Sequence, residues 1–229
     1  MNIDTQFDMF SDTPAGKDPD KFSPTLHRYH RQLWSKPLPD GSPFTLADDR
    51  PRGYLYHRSM LGEFDLSSDA FSNTYSCADR MSPIRSLVAT DMMAEFFTLC
   101  STIGAYVVFP RKMINGKQNI NQARGCHPKI RDRIDLTLEC IRLHYAGQDS
   151  PLSVVLARYS DFFALFQRFD GYVDFFLLND LVDNGEVRFL LPFEDFQRDG
   201  YPGDLAEYQA LMRGTMDFVN GRNKRIAAL

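Results

Sequence analysis

Apolar residues recur along this chain at two periods, and the elements they predict are mixed. Leu26, Tyr29, His30 and Leu33 share one face behind Ser23-Pro24, a capping residue followed by proline, and predict a helix over 24–34. Met93, Phe96, Phe97 and Cys100 follow a Thr90 cap, and Ile134, Leu138, Ile141 and Tyr145 trace one stripe of another helix. Ser150-Pro151 repeats the cap and proline start, so Leu152, Leu156, Tyr159, Phe163 and Phe166 predict a long helix stopping near Gly171. Residues 172–181 are apolar almost all round and predict a core helix. Asp204 with Glu207 opens a last helix to about Gly221, leaving a frayed basic end.

Strand patterns fall at 54–58, 63–67, 103–109 and 187–191, with a turn at Asn184-Gly185 and a hairpin turn over Ile114 to Lys117 returning through Gln118 to Asn121. The prediction is an α+β fold, a small mixed or antiparallel sheet flanked by four to six helices. Prolines crowd 36–53, which reads as loop. Residues 1–21 are polar and acidic and read as a flexible arm, with 22–229 as one globular domain.

Composition narrows the class. Of 229 residues 43% are hydrophobic and 24% charged, as in ordinary globular proteins, and no apolar stretch suffices for a membrane span. No basic start leads into an apolar signal segment, and Cys77, Cys100, Cys126 and Cys140 are scattered, so a cytoplasmic chain with reduced thiols is expected. Cys100 and Cys140 fall in core patterns. Cys126 beside His127 is a reactive thiol or half a metal site only if a second pair joins it, and the spacing offers none. His27 and His30, three apart, suit a surface or capping role better than a metal pair. There is no Walker pattern, GxGxxG or GxSxG elbow.

Charge singles out one segment. From Arg111 to Arg142 eight basic residues face three acidic ones in a chain of net charge −4. Residues 121–128 read as a loop in which Gly125 is free to take a positive φ, leading into the helix at Ile134. Asn121, Arg124, Gly125, His127, Lys129, Arg131 and Arg133 are therefore the candidate binding residues for an anionic small molecule, a nucleotide or a nucleic-acid phosphate, with His127 as acid, base or further donor. The competing reading is a self-paired network in which Asp132 and Asp135 neutralise the arginines. Residues 161–207 carry eleven acids and three bases, so charge-mediated docking or homo-oligomerisation without chemistry is a second hypothesis. Asp170 and Asp174, four apart, lack the further ligands an oxygen-rich metal site needs. The aromatic run from Tyr159 to Phe176 has helical spacing among acids and reads as core rather than a base-stacking platform.

The runs TIGAYVVFP (Thr102–Pro110), INQARG (Ile120–Gly125), DRIDLTLECIRLHY (Asp132–Tyr145), SPLSVVLARYSDFFALF (Ser150–Phe166) and GYVDFFLLNDLV (Gly171–Val182) resemble an uncharacterised family of bacterial proteins, a domain of unknown function. The likeness extends from about Phe22 onward and implies a bacterial, cytoplasmic single-domain protein, with no activity, cofactor or catalytic residue to carry over. Separately, His57 at a strand end with Tyr75 downstream resembles in outline the His, Tyr, Glu arrangement of NAD-dependent ADP-ribosyltransferases, a third hypothesis weighed against a hydrogen-bonded structural histidine.

Overall fold

A computed structural model describes residues 2–47, 55–71 and 78–229, and the chain folds as α+β. Tyr54, Tyr75 and Cys77 lie outside the described residues. Two short helices open it, α1 (Pro19–Phe22) and α2 (Pro24–Trp34), and Ser23 caps the second by accepting from Leu26 N–H as its sequence predicts. Lys36–Pro37 (β1) and Pro43–Phe44 (β2) then pair across the Asp40-Gly41 turn. The segment expected as an acidic arm carries Met9, fully buried, whose N–H donates to Ser101 C=O at 3.0 Å.

The main sheet is antiparallel, in the order β3 (Leu55–Ser59), β4 (Gly62–Ala70), β5 (Tyr106–Pro110). All five residues of β5 are buried, which is what its unbroken aromatic and β-branched sequence requires. The strand begins later than its apolar run. Ile103–Ala105 forms a 3₁₀ turn because Gly104 N–H donates to Asn223 Oδ1 at 2.9 Å, so the chain is pinned there instead of extending. The described pairing of β3 with β4 ends at Leu55 and Leu66, whereas β5 continues to Ala70. Beyond Leu66, among the described residues, the strand that pairs with β4 is β5.

Helices α3 (Thr90–Cys100), α4 (Ile120–Cys126), α5 (Ile134–Tyr145), α6 (Phe169–Phe176) and α7 (Leu205–Ala227) pack around this sheet. Several expectations are corrected. Residues 120–126 are helix, not loop or hairpin return: Asn119 accepts from Gln122 N–H while Gln122 bonds back to Asn119 N–H, a reciprocal capping box that starts α4. Gly125 lies inside α4 with no positive φ; Arg131 and Asp132 take that conformation instead. The long helix over 152–166 is broken into Ser153–Leu156, a 3₁₀ turn and Ser160–Ala164. Gly171 does not stop a helix but sits within α6, where a Cβ would meet Phe166 C=O at 2.2 Å.

The expected strand at 187–191 shrinks to Glu186–Val187 (β7) against Val182–Asp183 (β6), a hairpin apart from the main sheet around Asn184-Gly185. Leu190 N–H, which a longer strand would use, donates to Asp135 Oδ2 at 2.9 Å. The last helix runs past Gly221 because Arg222 and Ile226 are buried, Arg222 donating to the carbonyls of Phe176, Gly104 and Tyr106. Phe162, Phe163, Phe166, Tyr172, Phe175 and Phe176 are all buried, so the aromatic run is core. Among the described residues no helix is long and apolar enough to cross a membrane.

Candidate functional site

The basic segment does not present a row of unpaired guanidinium groups. Arg124 is fully buried: its guanidinium contacts the Asp69 carboxylate, donates to Asp132 C=O at 2.7 Å and to Thr137 Oγ1 at 3.2 Å. Arg133, 5% exposed, forks onto Asp135 at 3.1 and 2.5 Å. Arg131 lies 3.6 Å from Asp199 and over the Tyr201 ring, and Lys129 donates to Gln197 C=O. His127 ends α4, with its Nδ1 accepting from Lys129 N–H at 3.2 Å, and Gly125 is pressed against Asp132, which a Cβ would approach to 3.2 Å. The expectation of open cationic donors is thus corrected, for a physical reason: a buried guanidinium is tolerated only where carboxylates and carbonyls satisfy it. Arg124 also holds the strained turn behind it, since Asp132 N–H returns to Arg124 C=O at 3.0 Å and both Arg131 and Asp132 have positive φ.

Asn121 nevertheless borders a polar cleft that the sequence did not single out, and Arg124 pairs with Asp69 on its wall. Past Leu66, β4 is flanked by α1 and by the start of α4, and between them lies a cavity of about 270 Å³. Asp18, Asp20, Ser68, Asp69, Arg111 and Asn121 are on its walls. Asn121 Nδ2 donates to Ser67 Oγ at 3.2 Å. Its Oδ1, and Oδ1 of Asp20, are sealed from solvent with no hydrogen-bond partner among the described residues. Two buried acceptors left unsatisfied against one cavity are costly, about 1–3 kcal/mol each.

Electrostatics mark the same carboxyls. Burial pushes the Asp69 carboxyl up to about 7, against the pull of the Arg124 guanidinium, and Asp132 adds to the rise. Burial raises Asp20 well above the ordinary carboxylate range too, with Asp69 and Asp18 adding repulsion. Two acids thus share a low-dielectric cleft and cannot both ionise freely.

A directed hydrogen-bond chain reaches Asp20 from the core. Trp34 Nε1 can only donate, and it donates to His30 Nδ1. His30 is fully buried and held neutral, its pKa well below the ordinary value because of that burial, so its proton sits on Nε2. Nε2–H therefore donates to Ser68 Oγ at 2.9 Å, and the Ser68 hydroxyl is left to donate to the Asp20 carboxyl. The expected surface or capping role of His30 is corrected; His27, by contrast, lies with Nε2 3.0 Å from Asp20 C=O.

Other expected chemistry is placed elsewhere. His57 is buried, stacked on Phe44 with centroids 3.9 Å apart, and its Nδ1 is 3.2 Å from Thr45 C=O. Cys126 is exposed, while Cys100 and Cys140 are buried thiols. Among the described residues no group of three or more His, Cys, Asp or Glu is arranged to hold a metal ion. Asp20, Ser68 and Asp69 had one sequence signal: Leu66, Ser68 and Ala70 alternate as core-facing positions, and a serine among them is a polar group at a buried register.

The model of a family of unknown function (DUF6994) matches residues 3–226 of the chain. No curated protein and no solved structure matches it.

Proposed function

Since the chain belongs to that family, which brings no activity with it, we propose a function from the cleft alone: it binds a small polar molecule that offers hydrogen-bond donors to Asp20, Asp69 and Asn121 and an anionic group to Lys21 and Arg111. One observation carries this reading, the pair of acceptors without a partner among the described residues, Asp20 Oδ1 and Asn121 Oδ1, on two residues that line one cavity. The terminal torsion of Asp and Asn is soft, so either oxygen turns toward a bound donor at small cost. The anionic ligand expected from the basic segment is retained, but with the binding surface moved to the cleft beside Asn121. Asp69, titrating near neutrality, would exchange a proton with such a ligand as general acid or base. The buried thiol of Cys140 suits a reducing compartment, the bacterial cytoplasm in this reading.

Thermal-shift titration against amino acids, amino sugars and their phosphates tests the proposal. A ligand that raises the Tm of the wild-type chain should lose about tenfold or more in affinity in Asn121→Leu, which removes one acceptor. Arg131→Gln, outside the cleft, should bind it as the wild type does. Equal binding by wild type and Asn121→Leu, or loss in Arg131→Gln alone, would overturn the assignment.

A further inference from the structure

Lys36 opens β1 directly after α2, two residues past Trp34. Its Nζ stands 4.7 Å from the centroid of the Phe175 ring and 5.3 Å from that of Trp34, and it makes no hydrogen bond or ion pair among the described residues. The amine borders a second cavity, of about 390 Å³, whose walls include Pro39, Gln167, Arg168, Asp174 and Phe175. Arg168 caps the start of α6 and its guanidinium has no carboxylate partner among the described residues. A cavity that sets an unpaired primary amine beside an unpaired guanidinium has an uncommon polarity: it offers a nucleophile and a fixed positive charge, with an apolar floor.

The state of the amine is set by opposing effects. Burial, then the fully buried Arg222, draws the Lys36 ammonium down to about 8, while Asp174 favours the charged form. A desolvated lysine close to a second cation is how amines become nucleophilic near neutral pH.

We infer that Lys36 is the nucleophile of a second site, which captures a small carbonyl compound bearing an anionic group as an imine, with Arg168 pairing with that group. The neutral Nζ adds to the carbonyl carbon, and a proton passes from nitrogen to the carbonyl oxygen to give the carbinolamine. The proton left on nitrogen, relayed by the Asp174 carboxylate on the same wall to that oxygen, lets it depart as water and leaves the C=N bond. No oxidant or reductant is consumed, and hydrolysis reverses the step. The site is independent of the Asp20 and Asp69 cleft, so either stands if the other fails.

The full chain is incubated with glyoxylate and sodium cyanoborohydride, which reduces the imine to a stable secondary amine, and the adducts are mapped by peptide mass spectrometry. Lys36 should be labelled about tenfold or more ahead of the exposed Lys17, Lys117 and Lys224, the margin that one added charge-assisted contact and a lowered pKa provide. Arg168→Gln should raise the glyoxylate concentration for half-labelling about tenfold and leave trapping of propionaldehyde, which has no anionic group, unchanged. Even labelling of all lysines in the wild-type chain would overturn the proposal. So would a Lys36→Arg variant with unchanged melting temperature that takes up as much label as wild type. An equal effect of Arg168→Gln on both aldehydes would remove Arg168 from the site.

Discussion

Trp34 Nε1 donates to His30 Nδ1 across 3.0 Å, one turn apart on α2, and this contact joins the aromatic core to the polar cleft. The indole fills a core position against Phe176 at 5.2 Å between centroids while its one polar atom fixes the tautomer of the neighbouring imidazole.

His30 is neutral in the fold, its pKa depressed by burial, while in the unfolded chain it takes up a proton near pH 6.5. Its contribution to stability is therefore complete above that value and is lost as the pH falls below it, at about 1.4 kcal/mol per pH unit. Urea unfolding of a His30→Gln variant between pH 7 and 5 should lack this fall. An unchanged slope in that variant would show that His30 is not buried neutral.

Asp69 acts with the opposite sign in an overlapping window. Its folded carboxyl holds a proton up to about 7, whereas the unfolded one releases it near 3.8. Lowering the pH through that interval thus stabilises the fold, and raising it costs stability. Asp69→Asn should remove the gain on acidification, so its urea midpoint should fall more steeply than that of wild type from pH 7 to pH 5, with His30 then unopposed.

Arg124→Met should destabilise the chain by about 3–5 kcal/mol, since it leaves Asp69 and Asp132 buried without their counter-charge. The same variant releases the left-handed turn at Arg131 and Asp132 from the carbonyl clasp of Arg124, so limited trypsin digestion should cut after Arg131 faster than in wild type even below the melting temperature. Protection equal to wild type there would mean the turn is held by other contacts.

Gly104→Ala tests how closely α7 is docked. The added Cβ would stand 2.5 Å from Asn223 Oδ1 and 2.7 Å from Val219 C=O, and the helix backbone cannot withdraw without lifting Arg222 from its three carbonyls. A loss of about 1–3 kcal/mol is expected from overpacking, read as a lower urea midpoint with unchanged m value.

Local sequence determined a good part of this protein. Ser23-Pro24, Asp204 with Glu207, Asn184-Gly185 and the apolar stripe from Ile134 to Tyr145 each act within a few residues, through caps, turns and helical period, and each appears where the pattern puts it. The α+β class follows from them. Two local errors have local causes: the Asn119 and Gln122 capping box was masked by the glycine and proline that follow it, and Gly171 looks like a stop signal when its lack of a Cβ serves a close approach to Phe166.

What the sequence left open was which charges are spent. Arg124 and Arg133 look alike along the chain and alike in the folded protein, both consumed by carboxylates, yet Asp69 lies 55 residues from its partner and no local period reports it. Only the tertiary structure brings Asp20 from the acidic opening segment and Asp69 from the end of β4 to the same wall as Asn121, and only it turns Arg168 toward the cavity of Lys36. Patterning along a chain encodes the burial of apolar faces, because burial repeats with the geometry of the element. A polar site repeats with nothing, so its members are fixed by where the packed elements happen to meet.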